Sequence, residues 1–147
     1  MRLLRLFLMS IGGLAIVAVF FFATLFVLQY LDPGARDRIR GEHVKSLRTA
    51  LENYRNARGS YPVYPDNPVD DLKKDLVDAG FITAIPADPL RGSPGGQQYR
   101  YVSDGKLYGL LVKLETASGK IPPGGLCLTG VGTKGSGIWG EPPQCPF

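Results

Sequence analysis

Twenty-six consecutive residues without a charge, Leu6 to Leu31, constrain this chain more than any other feature. As an α-helix, at ~1.5 Å per residue, such a run extends ~39 Å, more than the ~30 Å hydrocarbon core of a bilayer. It exceeds the apolar region of a cleavable signal peptide, and no small-x-small cleavage site follows it. Apolar residues cover every face of that helix, which argues against burial on one side of a soluble core. The run therefore predicts a retained signal anchor, with residues 1–31 as flank and membrane-spanning helix. Arg2, Arg5 and the amino terminus mark the short flank as cytoplasmic. Arg36, Arg38, Arg40, Lys45 and Arg48 crowd the other flank, so charge alone leaves the orientation open.

Roughly 115 residues remain after the anchor, enough for one modest core. Setting aside Arg2 and Arg5, the formal charge of +4 falls to about +2, and all 13 acids follow Leu31. That balance is too even to imply nucleic-acid binding, and none is expected. The two cysteines, Cys127 and Cys145, lie in a Gly/Pro-rich tail. Paired, they would staple that tail, as exported domains often do, and the alternative is two separate thiols. Two cysteines and the single distant His43 lack the ligand spacing of a structural zinc site.

Asp32-Pro33-Gly34 bends the anchor or restarts a helix, with Asp32 as cap and Pro33 at the first position. The next helix is predicted over 32–58. Val44, Leu47, Leu51 and Tyr54 form a 3-4-3 stripe facing a core, Arg48, Glu52 and Arg55 face solvent, and Gly59 ends the helix. Membrane helix and head helix would then form one long, kinked rod.

The remainder, 59–147, reads as a head. Ser60 to Asp66 reads as loop. Asn67-Pro68 opens a short second helix that buries Val69, Leu72 and Leu76 and stops at Gly80. Tyr99 to Ser103 and Lys106 to Leu114 flank Asp104-Gly105, which suits a type I′ hairpin. That register sets Tyr101 opposite Tyr108 and Tyr99 opposite Leu110, with Val112 and Leu114 on the same face. Leu126-Cys127-Leu128 and Ile138-Trp139 are candidate strands, with Trp139 plugging a small core or contacting a partner. The predicted class is α+β, a helical stalk with a small antiparallel sheet.

The ordered set Leu47-x-x-Ala50-Leu51-x-x-Tyr54, Gly59-x-Tyr61-Pro62, Leu72, Leu76, Gly80-Phe81-Ile82, Ile85-Pro86-Ala87-Asp88-Pro89, Tyr99-x-Tyr101-x-Ser103 and Tyr108 resembles the major pseudopilin of type II secretion. The resemblance covers residues 44 to 114. It implies a pilin-like head on a long membrane-spanning helix. It also implies a bacterial inner-membrane location with a periplasmic head, and partners among pilin-like or secretion-system subunits. The cysteine pair would brace the last loop, as in many type IV pilins.

Two departures stand beside it. Prepilins carry a Gly-Phe-Thr-Leu-x-Glu-like processing site, whereas Met1 to Phe7 holds no Glu and Gly12-Gly13 lie inside the apolar run. The family's late calcium loop uses carboxylates, and Thr116 to Gly140 contains none.

Other chemistry is sparse. Asp66, Asp70 and Asp71 read as helix-start charges. Asp88 reads as an acceptor for turn amides. His43 occupies a polar helix position, Ser60, Ser93 and Ser103 have no recognisable His/Asp partners, and Gly92 to Gly96 lacks the ending of a phosphate loop. Gly12-Gly13 with Ser10 would permit close approach of another helix, or reflect only the ordinary tolerance of a membrane helix for glycine. The expectation is a non-catalytic, membrane-anchored assembly component without cofactor, metal or small-molecule substrate. A solitary membrane-tethered periplasmic binding module is the alternative.

Overall fold

A computed structural model describes residues 16–24, 32–132 and 142–147. A helical stretch, α1, covers 16–24, and α2 runs Pro33–Arg58. Asp32 caps α2 in an extended conformation (ψ 116°), and its side chain accepts from the Gly34 amide at 3.0 Å. Pro33 follows, where its missing amide costs no helical bond. Gly59 closes the helix in the left-handed region (φ 83°) and donates its amide to the Arg55 carbonyl at 2.7 Å. Arg55 and Arg58 sit in the last turn, where the helix dipole favours cations.

The expected long N-terminal membrane-spanning helix continuing into the head is corrected here. Among the described residues, no helix is long and apolar enough to cross a membrane. The nine described residues of α1 extend about 14 Å at helical rise, under half a hydrocarbon core. α2 is long enough, but it carries charges on every turn. It also starts afresh at an extended Asp32, so helical bonding does not run through that residue. The rest of the 6–31 run, with Ser10, Gly12 and Gly13, lies outside the described residues.

The head combines α2 with one four-stranded antiparallel sheet in the order β1-β2-β3-β4: Tyr64–Pro68, Arg100–Ser103, Tyr108–Lys113 and Leu126–Thr129. β1 occupies residues expected to be loop and helix start. With Pro65 and Pro68 in five residues it reads poorly as a strand, but it lies at the sheet's edge, where missing amides are tolerated. The short helical segment begins at Val69, as a 3₁₀ turn running into a single π turn that ends at Val77. Val69, Leu72 and Leu76 are buried there.

The hairpin register differs by two residues from the expected one: Tyr101 pairs with Leu110 and Ser103 with Tyr108. A type I′ turn needs positive φ at both central residues, and only Gly105 (φ 91°) has it. Asp104 instead accepts the Lys106 and Leu107 amides at 2.9 and 2.8 Å, and the Ser103 hydroxyl accepts the Gly105 amide at 2.9 Å. These bonds hold a four-residue loop. A shift of two preserves strand parity, so Tyr99, Tyr101, Tyr108, Leu110, Val112 and Leu114 still share one face.

That face packs against Val44, Leu47, Ala50 and Leu51 of α2 in one core, with Tyr54 partly buried at its margin. The Tyr61 and Tyr108 rings meet at 4.6 Å between centroids, and those of Tyr101 and Tyr108 at 6.1 Å. The buried Tyr101 hydroxyl donates to the Pro62 carbonyl at 2.9 Å, tying the chain after α2 to the sheet.

Candidate functional site

Among the described residues a dense polar constellation surrounds Arg40, which is 0 % exposed. Arg40 lies four residues before Val44, on the same stripe as Val44, Leu47 and Leu51, so α2 aims a guanidinium where the pattern calls for an apolar side chain. Three carboxylates meet it. Arg40 Nε donates to Asp88 Oδ2 at 2.7 Å, and Nη1 reaches Asp37 Oδ1 at 2.8 Å and Glu115 Oε1 at 2.6 Å. Arg36 grips Glu115 with a two-pronged contact, its Nε lying 2.8 Å from Oε1 and its Nη2 meeting Oε2. A planar fork suits this arrangement better than an ammonium would.

Asp37 and Asp88 are each bonded to a loop as well, while the Glu115 carboxylate is held by Arg36 and Arg40 of α2. Asp37 accepts the Glu115 and Thr116 amides at 3.0 and 2.8 Å and the Thr116 hydroxyl at 2.7 Å. Asp88 accepts the Leu90 amide at 2.9 Å, the turn expected of it. The first turns of α2, the Pro-rich approach to the sheet and the end of β3 are thus joined through one buried cation.

Burial pushes the Asp37 carboxyl upward, but the Glu115 and Thr116 bonds with Arg40 outweigh it, leaving Asp37 below its ordinary range. The Arg36 hydrogen bond, opposed by burial and helped by Arg40, lowers Glu115 as well. Burial acts to lower Arg40, and its Asp88, Asp37 and Glu115 hydrogen bonds more than reverse that, raising it further into the charged range. Next to this network His43 is half-buried, its Nδ1 3.0 Å from the Tyr99 hydroxyl. Burial holds it below the usual histidine range, against the pull of Asp88.

Chemically the network is a lock. Guanidinium groups, backbone amides and the Thr116 hydroxyl bond the carboxylates, and no serine hydroxyl or cysteine thiol is among the bonded groups. In the sequence Arg36 and Arg40 stand among the basic residues that flank the apolar run, and nothing there marks Asp37 or Glu115. The signal was available in the 4-4-3-4 spacing of Arg36, Arg40, Val44, Leu47 and Leu51, which puts two charges on the buried stripe.

Beside the lock, a groove of about 390 Å³ runs between α2 and the loop after β3, lined by Gly34, Arg38, Gly41, Lys45, Ser118 and Phe147 among others. Gly41 supplies the close approach: a Cβ there would sit 3.0 Å from the Phe147 ring. The tail that carries Phe147 is fixed by the Cys127–Cys145 disulfide, Cys127 being fully buried in β4.

The structure brings together seven of the eight residues named for the head core, Val44, Leu47, Leu51, Tyr99, Tyr101, Tyr108 and Leu110, all buried, while Tyr54 stacks edge-on against Phe81 at 5.5 Å. The acids at 66–71 do not form one cluster. Asp66 pairs with Arg100, Asp70 with Arg91, and Asp71 accepts from Asn67. Among the described residues no group of three or more His, Cys, Asp or Glu side chains is placed to hold a metal ion. Trp139 and Ile138 lie outside the described residues. No protein-family model, curated protein or solved structure matches this chain.

Proposed function

We propose that this protein is a non-catalytic, membrane-attached assembly component of a type II secretion or type IV pilus-like system, with its head in the bacterial periplasm. The observation that carries the reading is the two-layer head itself. An amphipathic helix follows the apolar sequence and lies across an antiparallel sheet whose last strand is stapled to the tail. The ordered residue set across 44–114 supports the same reading. The apolar side chains of α1 support membrane attachment: Ile16, Val17, Val19, Phe20, Phe21 and Phe22 are each more than half exposed, all round the helix. The buried lock suits a mechanical part, because it fixes the first turns of α2 to the sheet, where load from the apolar segment would enter.

In-cell crosslinking followed by affinity purification of the tagged full chain from solubilised membranes tests this. Recovery of pilin-like or secretion-system subunits is expected, and recovery of this chain alone would overturn it. The second reading, a solitary tethered binding module, draws on the groove beside α2. It predicts that solitary outcome.

A further inference from the structure

Tyr99 ties three parts of the head together. Its carbonyl accepts the Val69 amide at 3.0 Å, holding the chain before β2 to the short helical segment. Its ring belongs to the core, and its hydroxyl meets Nδ1 of His43 on α2 at 3.0 Å. Tyr99 is 1 % exposed, and among the described residues His43 is the hydrogen-bond partner of its hydroxyl. Leaving a buried O–H donor unpaired is costly, so the hydroxyl donates to Nδ1, which is then the bare nitrogen of the neutral ring. His43 therefore carries its own proton on Nε2. Acid can protonate such a ring only at Nδ1, the position that the Tyr99 proton already occupies.

We propose that His43 and Tyr99 form an acid-sensitive catch between α2 and the sheet, closed while His43 is neutral and loosened when it takes up a proton. One proton from water joins Nδ1, and the one interaction lost is the hydrogen bond donated by the Tyr99 hydroxyl. Nδ1 becomes a donor. The phenol oxygen can accept from it, but the phenol's own proton is left without that acceptor and turns away inside a buried site. Burial raises the Tyr99 phenol, so it keeps its proton throughout. Two charged groups act on His43 from the elements around it. Arg40, on the preceding turn of α2, opposes the imidazolium, and Asp88, from the Pro-rich approach to the sheet, favours it. These two are already engaged with each other, Arg40 Nε on Asp88 Oδ2 at 2.7 Å. Asp37 and Glu115 are held below their ordinary ranges, so their part of the lock stays charged while His43 titrates. Acid thus loosens the seam at Tyr99 before it reaches the lock.

An NMR titration of the detergent-purified full chain, isotopically labelled at histidine and tyrosine, tests the catch. His43 is the single histidine, so its ring nitrogens are identified without a variant. At neutral pH the ring should show a proton on Nε2 and none on Nδ1. On acidification the Tyr99 ring signals should shift with the same midpoint as His43. Y99F keeps the ring and removes the donor to the neutral imidazole. At a given pH it should raise the ratio of protonated to neutral His43 about three- to tenfold. H43Q should abolish the acid shift of Tyr99. The proposal fails if neutral His43 carries its proton on Nδ1, or if the Tyr99 shift persists in H43Q. It fails if Y99F leaves the ratio unchanged, since burial alone would then set the titration of His43. It fails equally if Tyr101 and Tyr108 shift together with Tyr99, because the core as a whole would then be loosening.

Discussion

Arg40 places a full charge where a leucine would fit the helix pattern, and its three carboxylates make that placement tolerable. The lock is therefore sensitive to loss of its centre more than to its existence. Removing one partner of a buried ion cluster leaves the others desolvated and unpaired, at a cost of about 3–5 kcal/mol. R40M should lower unfolding stability by that amount in urea at pH 7. Neutralising Asp37, Asp88 and Glu115 together with Arg40 should recover a substantial part of the loss. Recovery by R40K alone would contradict the forked geometry.

His43 adds a pH dependence of definite sign. Its folded-state pKa lies below the ordinary 6.5, so as pH falls through 6.5 the unfolded chain takes up the proton first and stability drops. H43Q should flatten the stability slope between about pH 7 and pH 5. Asp37 and Glu115 are lowered from 3.8 and 4.5, so their contribution is intact above about pH 4.5. It is lost on further acidification, giving a second decline that H43Q leaves in place.

α2 owes its independent start to Asp32. D32A removes the side chain that holds the Gly34 amide and should cost about 1 kcal/mol, measured by thermal unfolding of the full chain. No loss would indicate that the helix start is set by packing alone.

How much of each element was legible follows from its local chemistry. α2 could be bounded because a capping Asp, an initial Pro and a terminal Gly enclose a 3-4-3 apolar stripe. The β2 and β3 faces were legible because alternation survives an even shift in register. Their pairing was not, because Asp104 uses its carboxylate to gather two amides, a choice that Asp-Gly spacing does not reveal. β1 was hidden by its prolines, since an edge position is a property of the sheet and not of the segment. The lock escaped for a similar reason: Arg40 meets Asp88 and Glu115 only after residues 48 and 75 positions away fold back upon it.

For the whole molecule, two features support the proposed membrane attachment and the proposed export of the head. Six large apolar side chains of α1 stand exposed, and a disulfide with a sequence separation of 18 closes the end of the head. By loop entropy that bond contributes about 3 kcal/mol, a large share of a small domain's stability. A thiol pair in the cytosol would forgo it.

The exported, stapled head is the claim on which the proposed assembly role depends. Intact mass spectrometry of the chain, taken from membranes under alkylating, non-reducing conditions, tests it most directly. The expected result is one species in the membrane fraction with Cys127 and Cys145 joined and unalkylated. Recovery with both cysteines alkylated would contradict it, because the head would then be working with free thiols.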